Sequence, residues 1–299
     1  MKSTLSALRA ATPPSKGGDI AAFVLLLLLA SCAAGPRPQE SSGRPPERII
    51  SVVPNVTETL FAFGLGERVI AVGDYDQFPP EVNKKPRVGG LINPNIEKII
   101  EMHPDLVITY GSQDVLRARL QSVGIHMYPF THGNAEQTLQ FMADLGHVVG
   151  AETQAGQVVQ QIRKAFEEAR AHAPPERPKV LRVHDRGAGT MGSFYSVGRK
   201  AFQHDLIEIA GGQNLFGDVD RETIQPTLEE VISRKPDIIL ETLAPGANES
   251  EVAQRKQDWG KLGLATGRIY IERESYLLVP GPRLGLAATR ISEIIRNTR

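Results

Sequence analysis

Among side chains that ordinarily do chemistry, this chain of 299 residues holds one cysteine, Cys32, and seven histidines at 103, 126, 132, 147, 172, 184 and 204. No two histidines stand four apart, so no helix offers zinc a pair of imidazoles, and a single thiol cannot build a multi-cysteine zinc or iron–sulfur site. No metal site is expected. There is no GxSxG nucleophile elbow, and no GxGxxG opens a helix. Gly192–Lys200 (GSFYSVGRK) puts five residues between its glycines and then Arg-Lys, which is not the phosphate-cradling GxxxxGK[ST]. His184 and Asp185 could move protons, but nothing in the sequence assembles them into a mechanism. No enzyme is expected. What remains is recognition: aromatic faces at Tyr75, Phe78, Tyr110, Phe194, Tyr195 and Tyr276, arginines at 186, 199 and 283, and carboxylates at Glu97 and Glu229.

Composition narrows the partners. Lys+Arg and Asp+Glu each number 34, so no broad basic field exists to hold nucleic acid. A content of 41% hydrophobic and 23% charged residues is that of a folded domain. Ile20–Ala30 is an unbroken apolar run of 11 residues, too short to span a bilayer, which takes about 20. With Lys2, Arg9 and Lys16 before it, it fits a secretory signal. Leu29-Ala30-Ser31-Cys32 resembles a bacterial lipobox, which makes Cys32 the lipidated residue after a signal peptide at 1–31. Residues 32–47, rich in Pro, Gly and Ser, predict a flexible tether. The protein is thereby expected on the outer side of a bacterial membrane, lipid-anchored.

The elements that must position the binding residues show a duplication. Arg48–Val53 predicts a buried strand, Asn55 and Glu58 a helix cap, and Val69–Val72 the next strand, as in a parallel α/β unit. Pro94–Ile108 (PNIEKIIEMHPDLVI) recurs as Pro226–Leu240 (PTLEEVISRKPDIIL) at a constant offset, since 226 − 94 and 237 − 105 both equal 132. A weaker echo relates Thr59–Gly66 to Asp205–Gly212. Two copies so far apart mean two similar lobes rather than an array. The lobes are expected at 48–134 and 174–299, with linker helices at 135–173. Val158, Val159, Ile162 and Phe166 recur at helical spacing, and one long helix over Ala151–Ala173 is expected to cross between lobes and keep hinge motion small.

The run Val52–Ile108, with GDYDQFPPEVNKKPRVGG at its centre, resembles the iron/vitamin B12 periplasmic-binding domain. DLIEIAGGQNLF (Asp205–Phe216), the second repeat copy and VPGPRLGLAATRISEII (Val279–Ile295) resemble it too, so the likeness covers Arg48 to Asn297. The resemblance implies an α/β fold of two similar lobes joined by one long backbone helix, with a ligand cleft between them. It also implies a monomeric substrate-binding protein that serves an ABC permease and its ATPase subunits and carries a transported ligand rather than a cofactor.

In open α/β sheets ligands lie beyond the carboxyl ends of the strands. Pro54, Asn55, Asp74, Tyr75, Gly90, Leu91 and Tyr110 take such places in the first lobe. His184, Phe194, Tyr195, Tyr276 and Arg283 are the candidates in the second. GDYDQFPPE is most similar to cobalamin-binding members, although Leu91 stands where those receptors place an aromatic. Haem would use an axial Tyr110, His184 or Tyr276. An anionic ferric siderophore would call on Arg186, Arg199 and Arg283. Glu97 and Glu229, equivalent in the repeat, match the family's pair of glutamates that dock to permease arginines.

Overall fold

The computed structural model describes residues 44–111, 113–187, 193–244, 246–264 and 268–297. Cys32, the signal peptide and the tether up to residue 43 lie outside the described residues. In the first lobe the chain runs β1 (Ile49–Ser51), α1 (Pro54–Ala62), β2 (Val69–Val72), a 3-10 turn (Pro80–Lys84), α2 (Ile96–Glu101), β3 (Leu106–Tyr110), α3 (Asp114–Ser122) and β4 (His126–Phe130). The strands are parallel, in the order β2-β1-β3-β4. Their near-continuous apolar runs suit a sheet covered on both faces.

Two helices follow, as the linker helices expected at 135–173. α4 (Ala135–Val148) starts at an Asn134–Gln137 capping box, and α5 (Glu152–Ala171) is the long helix of 20 residues, about 30 Å at the helical rise. Gly150, at φ 66°, separates them. The second lobe holds β5 (Lys179–Arg186), β6 (Phe194–Val197), α6 (Phe202–Ile209), β7 (Gln213–Asn214), β8 (Thr223–Ile224), α7 (Leu228–Arg234), β9 (Ile238–Thr242), α8 (Glu249–Gly260), β10 (Ile269–Glu272), a 3-10 turn (Ser275–Leu277) and α9 (Leu284–Arg296).

The duplication is visible in the pairing. β7, β10 and β9 run parallel in the path β7-β5-β9-β10, which repeats β2-β1-β3-β4. The pair β6 and β8 is added antiparallel beside β5. Equivalent residues do equivalent work. The Asp105 carboxylate accepts the Arg48 N–H at 3.0 Å, and the Asp237 carboxylate accepts the Lys179 N–H at 2.7 Å. Each thereby fastens the first strand of its own lobe. His103 and Lys235, also 132 apart, both turn left-handed at a helix end, at φ 47° and 53°.

The weaker echo is corrected by one residue. Gly64 and Gly211 are the left-handed residues that close α1 and α6, at φ 78° and 85°. Leu65 N–H donates to Leu60 O as Gly212 N–H donates to Ile207 O, so the true offset there is 147 (211 − 64). The start of α1 is corrected as well. Pro54 is its first residue, Val53 stands at the cap, and no side chain caps it, because Asn55 and Glu58 are bonded elsewhere.

One apolar cluster runs from the first lobe through α4, α5 and α9 onto one face of the second sheet, where Val180, Ile238 and Leu240 meet it. The other face, with Leu181, Val183 and Ile239, buries a separate cluster around Phe194, Phe216 and Trp259. Alternation along β5 and β9 separates the two. The lobes therefore share one core, and the second lobe has another of its own.

Candidate functional site

The candidate residues lie in loops beyond the parallel strands or, corrected from loop positions, within strands: Tyr110 ends β3, His184 is inside β5, and Tyr195 sits in the antiparallel β6. In the first lobe, Tyr75 follows β2 and is 67% exposed. Gly90 lies beneath its ring, for a Cβ there would sit 3.6 Å from the ring edge. Asp74 is exposed beside it. Leu91 and Tyr110 are half-buried, and the Gln113 amide ties their loops by donating to both carbonyls, at 3.0 and 2.8 Å. Tyr110 meets His132 edge-on at 5.1 Å. In the second lobe, His184 stacks with Tyr195 at 6.2 Å, and Tyr276 is half-buried in the turn before α9. Burial, then Glu274 and Glu272, push the Tyr276 hydroxyl above its ordinary pKa, so it stays protonated.

Several candidates are placed differently. Phe194 is corrected from ligand contact to core: it is 1% exposed and meets Trp259 edge-on at 5.6 Å. Its period along β6 turns it inward while Tyr195 faces out. Pro54 is helix residue one, and Asn55 is buried, its amide donating to Pro280 O at 3.0 Å. Arg283 is no free anion anchor. Its Nε and Nη2 grip Glu58 at 2.9 and 2.7 Å, and the Phe78 ring lies 3.9 Å from the guanidinium carbon. Arg186 is buried against Glu241 and Asp258, each at 3.3 Å, and over the Trp259 ring. Arg199 is paired with Asp220 at 2.8 Å.

The lobes touch on two sides of the strand ends. On one, Arg283 and Pro280 meet Glu58, Asn55 and Phe78. On the other, His132 Nδ1 lies 2.9 Å from Glu222 Oε1, next to β8, whose partner β6 carries Tyr195. Tyr75 and Tyr276 lie in the turns beside the first contact; Tyr110, the last residue of β3, and Tyr195, in β6, lie toward the second. Concavities also occur elsewhere, at the amino end of the second sheet and beside α6. There Arg177 is bonded to Glu208 and Arg234 to Asp218.

Phe78 is where the sequence offered an aromatic face, whereas Glu58, Asp76 and His132 join this region without having been singled out for it. Glu58 has the position of a capping-box residue, so its local role hid the distant one. Asp76 is 1% exposed, and neither carboxylate oxygen finds a hydrogen-bond partner among the described residues. The Thr57 hydroxyl near it donates to Ser51 Oγ instead, at 2.8 Å. Burial, only partly offset by Thr57, Arg87 and the loop backbone, raises the Asp76 pKa to about 7. Glu97 and Glu229 stand in the first turns of α2 and α7, both exposed. Glu97 makes only a loose surface pair with Arg119 at 3.6 Å.

Over 261 residues the chain is 25% identical to the ABC transporter substrate-binding lipoprotein YvrC of Bacillus subtilis, covering 84% of this chain and 80% of that protein. Over 249 residues it is 26% identical to the vitamin B12-binding protein of Yersinia pestis, covering 83% and 85%. The fold superimposes with a TM-score of 0.71 on the periplasmic heme-binding protein RhuT of Roseiflexus sp. RS-1 in its apo form, at 26% identity, covering 84% of this chain and 98% of that one. Two lobes of one topology, a long helix between them and aromatics at the facing strand ends accord with the match of residues 49–256 to the periplasmic binding proteins, the family to which this chain belongs.

Proposed function

We propose that this chain is the substrate-binding lipoprotein of an ABC importer, that it takes cobalamin between its lobes, and that it hands the ligand to a membrane permease. The observation that carries the ligand class is the state of the arginines. Arg186, Arg199 and Arg283 spend their charge on Glu241 and Asp258, on Asp220 and on Glu58. A polyanionic ferric siderophore would find those cations occupied. A large, mostly neutral corrinoid asks instead for aromatic faces with a few polar anchors, which Tyr75, Tyr195 and Tyr276 supply together with His184 and Asp74. Glu97 and Glu229 serve as the docking pair, one on each lobe, since a single charge pair cannot fix rotation. Cys32 carries the lipid, and ATP is hydrolysed on other subunits.

Haem is the second reading, favoured by the meeting of Tyr110 and His132 at 5.1 Å, two side chains of the types that ligate haem iron. Visible absorption of the purified chain after incubation with cobalamin, haem or ferric siderophore, followed by gel filtration, distinguishes them. Retention of the corrinoid bands alone supports the first reading. Retention of a Soret band alone replaces cobalamin by haem.

A further inference from the structure

The segment 275–283 belongs by sequence to the second lobe and is fastened to both. Arg182, completely buried in β5, donates to Leu277 O at 3.0 Å and holds the turn to its own sheet. Three residues on, Pro280 O accepts the Asn55 amide, and Gly281 packs its backbone against Asn55, where a Cβ would lie 3.5 Å away. Arg283 then makes its forked pair with Glu58 of α1 and donates to Ser275 Oγ at 3.0 Å. Side-chain exposures of 14% and 5% put the Arg283–Glu58 pair out of water. Phe78 of the first lobe covers one side of the guanidinium, and Tyr276 of the second lies 5.9 Å from it.

We infer that Arg283 is the positioning residue of the cleft, a latch that bonds the second lobe to α1 and fixes the angle between the lobes together with the places of Phe78 and Tyr276. A forked, desolvated pair imposes geometry in a way that an exposed pair does not. The contact on the other side, His132 with Glu222, has side chains 40% and 43% exposed and is screened accordingly. Beside the long helix α5 and the apolar core that the lobes share, the Arg283 latch is a polar connection of fixed geometry, and it opposes rotation about α5.

The test reads geometry, and no ligand is added, so its outcome is independent of what the cleft takes. The full chain carrying Cys32→Ser receives spin labels at Val115→Cys in α3 and Ile232→Cys in α7, positions 81% and 45% exposed. Pulsed electron paramagnetic resonance gives the distance distribution between lobes. The parent should show one narrow distribution. Arg283→Met should broaden it by about twofold or more, as hinge release does. Arg283→Met alone leaves Glu58 buried and unpaired, so the double variant Arg283→Met with Glu58→Gln, which leaves no lone charge behind, should be broadened equally while retaining a cooperative melt. A folded single or double variant that keeps the parent distribution would overturn the latch.

Discussion

At the scale of single residues, burial decides roles that residue type leaves open. Asp76 and Asp74 are two apart in one loop, yet one is sealed in and the other faces water. Because burial raises the Asp76 pKa from the usual 3.8 to about 7, the native state holds its proton where the unfolded chain releases it. The stabilisation is complete below pH 3.8 and is lost as pH rises through about 7. Asp76→Asn should therefore flatten stability across that window and raise the melting temperature at pH 8, the gain being on the order of 2–4 kcal/mol. Thermal melts at a series of pH values check this, and equal pH profiles for both proteins would contradict it. Phe194 gives the complementary case. Phe194→Ala should cost about 3–5 kcal/mol of stability by leaving a cavity beside Trp259, with ligand affinity changed little. Chemical denaturation and a binding isotherm separate the two effects.

At the scale of elements, the duplicated Pro-Asp units were legible in the sequence because they are local. Each packs a cap, two helical turns and a strand start into fifteen consecutive residues, and the residues that define it act within their own lobe. The weaker echo slipped by one because residue types matched Leu60 with Leu206 and Gly66 with Gly212, whereas the helix ends match cap with cap, Phe63 and Gly64 with Ala210 and Gly211. The start of α1 was misread for a different reason. Asn55 and Glu58 have the types and spacing of a cap, but they bond to Pro280 and Arg283, 225 residues away. No local pattern encodes such a partner. Phe194 was misjudged because alternation over the four residues of β6 does not say which of its two faces turns inward. The shared left-handed turns make a prediction at this scale: Lys235→Gly should remove a strained conformation and raise stability by about 0.5–1 kcal/mol. His103→Gly should do likewise, as denaturant midpoints would show; destabilisation by both would contradict the strain, and opposite effects would contradict the equivalence of the two turns.

At the scale of the whole molecule, two lobes that share a core and meet on both sides of their strand ends form a scaffold with a limited range of opening. In the proposed function docking depends on Glu97 and Glu229, one on each lobe, rather than on the binding surface. Glu97→Ala with Glu229→Ala should leave ligand affinity unchanged and abolish uptake in cells that express the permease; surviving uptake would contradict the docking role. The central claim is that aromatic faces at the ends of both sheets hold a corrinoid. Isothermal titration of the purified chain with cyanocobalamin tests it most directly, run beside Tyr75→Ala and Tyr276→Ala. Saturable one-to-one binding is expected, weakened by each substitution about tenfold, as the loss of about 1.4 kcal/mol per ring gives. No saturable binding, or binding that neither substitution weakens, would contradict it.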